Sequence, residues 1–369
     1  MKIGIVTITG TSNYGAALQI HALQKVMEGQ GADCETISYD NPYITREHTA
    51  KGLFEKKGIK NKIRAVLLYS SYKKRMERFK EFERKYCRIS SVTYNKENIS
   101  LANSNYDCFV AGSDQVWNLE ITHGDENYFL SFADEGKKLC SYAASTGSAA
   151  LEMGEGSRNL KALERYSVIS VREQPLNDFL VGELDADSRS AVRTDIDPTL
   201  LLDSDYWKRF AGEKPCSGDY IFLYLFKKTP QTLAFVNELK NKYGCQVFDC
   251  TKGATSERGF KRLTTLSPEE FLNYIYHAKF VITGSFHAAC FSLQFEKELY
   301  MTEAPLSGRT TRLRSLAEEL GVENRLFSGE MTEQPPVSYG EVKKRLAVMR
   351  EKSMETIRLI CQEKGGEKG

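Results

Sequence analysis

The stretch CFVAGSDQVWN, Cys108–Asn118, is an apolar, β-prone run that breaks into Gly-Ser followed by ionisable and amide side chains. A second stretch, FVITGSFHAAC at Phe280–Cys290, follows the same plan. A buried strand of an open α/β sheet delivers polar groups to its C-terminal edge in this way, and such sheets bind ligands at that edge. Two such edges far apart in sequence predict two sheets facing one cleft, with Asp114 and Gln115 on one wall and His287 on the other.

Outward from these stretches the chain alternates between strand and helix patterns. Ile3–Ile8 reads as a strand, Tyr14–Glu28 as a helix and Cys34–Tyr39 as a second strand, an opening βαβ unit. Strands are expected again at Phe109–Ala111, Lys138–Ala144, Val168–Arg172 and Ala191–Asp195. Residues 197–218 read as the inter-domain connection. A second series then runs as strand Tyr220–Phe226, helix Pro230–Lys242, strand Gln246–Phe248, helix Pro268–His277, strand Phe280–Thr283, helix His287–Phe295 and strand Glu298–Met301. Helices Thr310–Leu320 and Gly340–Gln362 follow, and a tail from Glu363 is expected to be disordered. Alternating βα pairs imply mostly parallel sheets, so the fold class is α/β with two Rossmann-like domains. Their expected boundaries are 1–203 and 219–332, with a helical insertion at 51–88 in the first and a C-terminal helix and tail at 333–369.

The length of 369 residues suits two domains with full cores. No apolar run approaches the roughly 20 residues of a membrane span, and Met1–Val6 reads as a strand rather than a signal peptide, so a cytoplasmic location is expected. Nine cysteines are scattered without a Cys-x-x-Cys pair or a Cys/His cluster, so no structural metal is implied. Net charge is +2, yet residues 51–88 hold fourteen Lys/Arg against four Asp/Glu. In that stretch Ile63, Val66, Leu67, Tyr69, Tyr72, Met76, Phe79, Phe82 and Tyr86 recur at helical spacing. An amphipathic helix with a strongly basic face follows. That face is either a solvated surface or one that meets an anionic membrane or a lipid-diphosphate substrate at the inner face of the membrane. Nucleic acid is not an expected partner, because the rest of the chain is acidic and carries no nucleic-acid-binding motif.

Six motifs stand in order: Asn13-Tyr14-Gly15 with Leu18-Gln19, Gly112–Asn118, Ser170-Val171-Arg172-Glu173, Asp197-Pro198-Thr199, Ser285-Phe286-His287, and Arg309-Thr310-Thr311-Arg312 before Leu320-Gly321. In this order the chain resembles the polysaccharide pyruvyl transferases over about residues 1–327. The resemblance implies a glycosyltransferase-B-like pair of domains, the first on the acceptor side and the second on the donor side. It implies transfer of the enolpyruvyl group of phosphoenolpyruvate to sugar hydroxyls, giving a pyruvate ketal and phosphate. No organic cofactor or metal is implied. The acceptor would be a sugar or a lipid-linked oligosaccharide precursor of a cell-surface polysaccharide. Two other readings stand beside it: a sugar-nucleotide-dependent glycosyltransferase of the same fold, and a catalytically silent carbohydrate-binding member of a polysaccharide assembly system.

Phosphoenolpyruvate presents a phosphate and a carboxylate, which call for guanidinium groups and backbone N–H donors. Arg172, at a predicted strand end, matches the arginine that the family uses on the donor; it can equally be the structural partner of Glu173 or another carboxylate. His287 stands where strand meets helix, with a side chain suited to proton transfer near neutral pH, and is the first choice for general acid/base. Its alternative reading is a buried histidine satisfied by a carbonyl. His21, His48, His123 and His277 read as structural or exposed. Many family members carry Arg-x-His where this chain has Ser285-Phe286-His287, so Ser285 with Phe286, and Arg309 or Arg312 from the following segment, are the candidates to serve the donor. Gly15-Ala16 likewise replaces a Gly-Asp seen in other members. Asn13, Ser113 and Gln115 are candidate acceptor-binding residues. Asp114 is either the base that activates the attacking hydroxyl or a helix cap, and Trp117 is assigned to packing.

Overall fold

A computed structural model describes residues 1–47, 59–147, 158–251, 257–303 and 310–363. Of the features singled out above, His48, Arg309, residues 51–58 of the basic stretch and the tail beyond Glu363 lie outside these. Inter-residue contacts divide the chain into two compact units, one made of 1–49, 83–201 and 348–369, the other of 50–82 and 202–347.

The first unit is built on strands β1 (Lys2–Val6), β2 (Asp33–Tyr39), β3 (Ile89–Tyr94), β4 (Cys108–Asp114), β5 (Lys138–Ala144), β6 (Ile169–Val171) and β7 (Val192–Thr194). They form a parallel sheet in the order β3-β2-β1-β4-β5-β6-β7. All seven residues of β4, and all seven of β5, are buried, which explains why these strands read as continuous runs rather than alternating ones. The second unit carries β8 (Tyr220–Tyr224), β9 (Gln246–Asp249), β10 (Lys261–Arg262), β11 (Phe280–Thr283), β12 (Glu298–Thr302) and β13 (Leu326–Phe327), again parallel, in the order β10-β9-β8-β11-β12-β13. Both orders are doubly wound. The direction of winding reverses between β1 and β4 in one sheet and between β8 and β11 in the other, which creates a crevice outside the strand C-termini at each point.

Helix α1 (Tyr14–Gly29) follows β1 and is buried on nearly every face. Helix α2 (Ile59–Tyr86) is the basic one. In the first unit α3 (Gln174–Glu183) and the short α4 (Pro198–Leu201) follow β6 and β7. In the second, α5 (Pro230–Tyr243) starts at the Thr229 cap and stops at Gly244, whose φ of +64° suits a residue without Cβ. Helix α6 (Pro268–His277) opens with a reciprocal Ser267/Glu270 capping box. Then come α7 (Phe286–Gln294), α8 (Thr310–Leu320) and α9 (Tyr339–Cys361).

Two helices are grouped differently from expectation. Residues 50–82, expected as an insertion of the first domain, belong to the second unit. The reason lies in packing: Arg78 pairs with Glu270, and the Phe82 ring lies 6.3 Å from that of Phe210. The apolar pattern of α2 also divides, since Phe79 and Phe82 are buried whereas Val66 and Tyr69 are exposed. Conversely, residues 348–369 belong to the first unit. There Ser353 accepts from the Ile196 N–H at 3.1 Å, and Thr356 donates to Asp195 at 3.1 Å. The Lys138 ammonium donates to the carbonyls of Leu359, Ile360 and Gln362, a cation on the C-terminal end of α9.

His21 on α1 is buried, with Nδ1 donating to the Tyr86 carbonyl at 2.8 Å. Burial lowers its pKa to about 4 against a partial opposing pull from that carbonyl. An unfolded chain, with His21 near 6.5, binds more protons than the folded one between these values. Stability is therefore complete above the window and is lost as pH falls through it, by about 3 kcal/mol at its foot. His21→Gln should flatten this acid slope in urea unfolding followed from neutral pH to about 4.5; an unchanged slope would assign the acid sensitivity to other groups.

Candidate active site

At the crevice of the first sheet, β1 ends beside β4 and the polar residues that follow them interlock. Thr7 donates to the Ser113 carbonyl at 3.1 Å, Gln19 donates to Thr7 at 3.2 Å, and the Ser113 N–H donates to Gln19 at 3.3 Å. The Ser113 hydroxyl donates to the Ala143 carbonyl at 3.2 Å and receives the Arg172 guanidinium at 2.6 Å. Ser113 is thus fully buried and its hydroxyl is engaged within the unit. Gln115 is also buried, its amide packed so closely on Gly147 that a Cβ there would come within 2.5 Å of it. Asn13 is exposed, and its side-chain amide oxygen caps α1 by accepting from the Gly15 N–H at 3.0 Å.

Asp114 ends β4 with φ +72°, a left-handed conformation that Asp tolerates better than most residues. Its backbone carbonyl accepts from the Val116 and Ser145 N–H groups at 2.8 and 3.0 Å. The helix-cap reading of Asp114 is corrected here. The next helical turn, 119–122, is capped by Asn118, which accepts from the N–H groups of Glu120 and Ile121. The Asp114 carboxylate lies instead 3.5 Å from the Arg172 guanidinium. Trp117 packs as expected, stacked 5.4 Å from Phe129 with its indole N–H donating to the Tyr128 carbonyl.

Sequence left two roles open for Arg172, and its contacts are those of a structural partner. One terminal nitrogen lies 2.7 Å from Asp197, whose side chain has no exposed surface, and the Arg172 side chain is 3% exposed. The carboxylate concerned is that of Asp197 and not of Glu173, which accepts from the Ser145 hydroxyl at 2.8 Å. In the sequence Asp197 stands only within a family motif and at the start of the inter-domain connection, with no site role. Its other oxygen accepts from the Thr199 N–H and hydroxyl at 2.9 and 2.6 Å. Only the fold reveals its second face toward Arg172.

At the crevice of the second sheet, β8 ends beside β11. The Thr283 hydroxyl donates to the Tyr224 carbonyl at 2.7 Å and accepts from the Ser285 N–H at 3.0 Å. Ser285 is the N-cap of α7, accepting from the Ala288 N–H at 3.4 Å. His287 is the second residue of that nine-residue helix and is 6% exposed. The Phe286 ring meets the His287 ring edge-on at 5.3 Å, and the Arg312 guanidinium lies 5.7 Å from the Phe286 centroid. Arg312 comes from the first turn of α8 and is 8% exposed. Ser285, Phe286, His287 and Arg312 therefore gather at one sheet edge. There the positive end of a helix and a guanidinium favour an anion beside an imidazole.

The model of one protein family, described as polysaccharide pyruvyl transferase, matches residues 13–301. The chain belongs to the polysaccharide pyruvyl transferase family. Three of the four gathered residues of the second sheet edge, Ser285, Phe286 and His287, fall inside the matched span of this pyruvyl transferase family member, as do Asn13, Asp114 and Arg172. No curated protein sequence matches. Among solved structures, the S. aureus MnaA–UDP co-structure is similar at 12% identity and a TM-score of 0.49, covering 98% of this chain and 90% of its own. The Methanocaldococcus jannaschii UDP-GlcNAc 2-epimerase in complex with UDP-GlcNAc and UDP is 11% identical with a TM-score of 0.48, covering 94% and 99%. A Streptomyces sp. SF2575 glycosyltransferase complexed with thymidine diphosphate is 10% identical with a TM-score of 0.47, covering 98% and 99%. The fold of the pyruvyl transferase family member is established by its strand order.

His123 and His277, like His21, keep structural settings. His123 takes a left-handed backbone at the end of the 119–122 turn and stacks on Tyr43 at 4.3 Å. The His277 Nε2 lies 2.9 Å from the Gly212 carbonyl.

Proposed function

We propose that this chain transfers the enolpyruvyl group of phosphoenolpyruvate to hydroxyls of a sugar in a cell-surface polysaccharide precursor, in the cytoplasm and without an organic cofactor. The reading is supported by the family match over residues 13–301, together with His287 on the first turn of α7 at the crevice of the second sheet. Ketal formation adds a sugar hydroxyl to C2 of the enol while C3 takes up a proton. The second hydroxyl then forms a bond to C2 as the C2–O bond to phosphate breaks, and its proton leaves with the phosphate. His287 is assigned the proton transfers. The α7 N-terminus and Arg312 are assigned the donor's negative charge, in place of the guanidinium that Ser285 lacks. Asn13 and Asp114 are assigned to acceptor hydroxyls, with Ser113 and Arg172 holding the Asp114 loop. Ser113 and Gln115 are buried supports in this scheme rather than acceptor ligands.

Calorimetric titration with phosphoenolpyruvate, and separately with uridine and guanosine diphosphates, tests the donor without knowledge of the acceptor. Binding of phosphoenolpyruvate that is weakened in Arg312→Ala is the expected result. Binding of a nucleoside diphosphate alone would replace this reading with a sugar-nucleotide-dependent transferase.

The acceptor is further proposed to be lipid-linked, with α2 meeting the membrane. Among the described residues no helix is long and apolar enough to cross a membrane. Helix α2 does expose Lys73, Lys74, Lys80, Arg84 and Lys85 against Glu77 and Glu81, along with the apolar Val66 and Tyr69. Exposed apolar groups beside a cationic surplus suit the interface of an anionic bilayer. Co-sedimentation with phosphatidylglycerol vesicles, reduced by high salt and by K73E/K74E, is the expected result; equal binding to neutral vesicles would remove the proposal.

A further inference from the structure

A cavity of about 180 Å³ opens at the C-terminal edge of the second sheet. It is bounded by the segments that follow β8, β11, β12 and β13 and by the first turn of α5. Of the Gly284–His287 turn only Gly284 lines it. A Cβ at Gly284 would lie 3.3 Å from the Thr302 carbonyl oxygen and 3.5 Å from the Phe226 ring. Glycine at this position keeps the floor of the cavity open.

The lining combines an aromatic surface, a carboxylate with neighbouring neutral polar groups, and the ammonium of the exposed Lys227. Phe226 and Phe327 contribute aromatic area from two different strand ends, and Phe226 is 49% exposed. Glu303 contributes a carboxylate on a side chain that is 9% exposed. Arg314 fixes it, donating to its two oxygens at 2.9 and 3.1 Å. An ionised carboxylate only accepts hydrogen bonds, so its partner in the cavity must be a donor such as a hydroxyl. Thr302 and Gln231 add polar groups that take either role.

Size and charge narrow the ligand. Sites that enclose drug-sized ligands measure about 300–1,000 Å³, so this cavity takes a single ring and not a whole nucleoside diphosphate. Glu303 disfavours an anion placed against it and Lys227 disfavours a cation, so the two lining charges offset each other and suit an uncharged ligand that can both donate and accept hydrogen bonds. A ring with one apolar C–H face for the phenyl groups and hydroxyls around its edge for Glu303, Thr302 and Gln231 satisfies the aromatic and the polar surface. We propose that this cavity is a subsite for one uncharged pyranose unit of an oligosaccharide. On the transferase reading above that unit is a sugar of the acceptor other than the one whose hydroxyls are assigned to Asn13 and Asp114; the subsite itself does not rest on that reading.

Saturation-transfer NMR on the whole chain with methyl gluco-, galacto- and manno-pyranosides and their 2-acetamido forms tests it, with phosphoenolpyruvate titrated into the same samples. At least one pyranoside should give a signal that falls about fivefold or more in Phe226→Ala and in Glu303→Gln, the loss expected for an aromatic contact and a charge-assisted hydrogen bond. Phe226 is half exposed, so its removal leaves the core intact, and Gly284→Ala offers a second way to narrow the space. Absence of any pyranoside signal, or signals indifferent to all three substitutions, would overturn the subsite. Phosphoenolpyruvate binding alongside such a failure would leave the transferase reading standing. Pyranoside signals lost in the variants but without phosphoenolpyruvate binding would keep the subsite and remove its link to that reading.

Discussion

His287→Ala is expected to lower turnover with phosphoenolpyruvate by about a hundred- to ten-thousand-fold, the range a positioned general acid/base contributes. Each half of ketal formation moves a proton, first to C3 and then from the second hydroxyl, and the loss falls on kcat because both transfers occur after the donor has bound. Donor affinity should change much less. The N–H groups at the start of α7 and the Arg312 guanidinium remain in the alanine variant and still face an anion. The fold should survive, since Ser285 caps the helix and the Phe286 ring still packs beneath Arg312. Phosphate release measured alongside phosphoenolpyruvate calorimetry separates the two effects. Near-wild-type turnover would rule out His287 as the proton carrier, whereas equal losses in turnover and donor affinity would make it an anion-binding group.

Much of this site was legible in the sequence because strand ends of doubly wound sheets have a strong local signature. The runs Phe280–Thr283, Pro268–His277 and Lys138–Ala144 were read to the residue, because burial on both faces enforces unbroken apolar stretches and Ser267-Pro268 announces a helix start. Strand β3, ISSVTY, was missed because it lies at a sheet edge with only Ser90 and Tyr94 buried, so it lacks any apolar periodicity. The two-residue strands β10 and β13 are too short to carry a pattern. The grouping of α2 with the second unit was invisible for another reason. It depends on what Arg78 and Phe82 touch, and those partners, Glu270 and Phe210, stand more than a hundred residues away. The cavity beside Gly284 was unreadable on the same grounds, being assembled from the ends of four strands.

Arg172→Ala is expected to destabilise the first unit by about 3–5 kcal/mol, because it leaves the fully buried Asp197 carboxylate without its countercharge. The same change removes the donor to the Ser113 hydroxyl and the guanidinium facing Asp114, so the loop that presents Asp114 loses its support. Arg172→Lys should recover only part of the loss: one guanidinium nitrogen reaches both Asp197 and Ser113, which an ammonium can imitate, but the second nitrogen that faces Asp114 has no counterpart in lysine. Removing both charges while keeping the acceptor for Thr199, as in R172M/D197N, should cost less than the alanine variant alone, because the penalty lies in the orphaned charge more than in the missing attraction. Denaturant unfolding of the three variants measures this order. Phosphoenolpyruvate affinity in Arg172→Lys, which keeps the fold, then decides the residue's role. Affinity within about threefold of the parent is expected of a residue that positions Asp114, whereas a loss of more than about tenfold with stability preserved would return Arg172 to the donor site, since that is the loss of a direct charge-assisted contact.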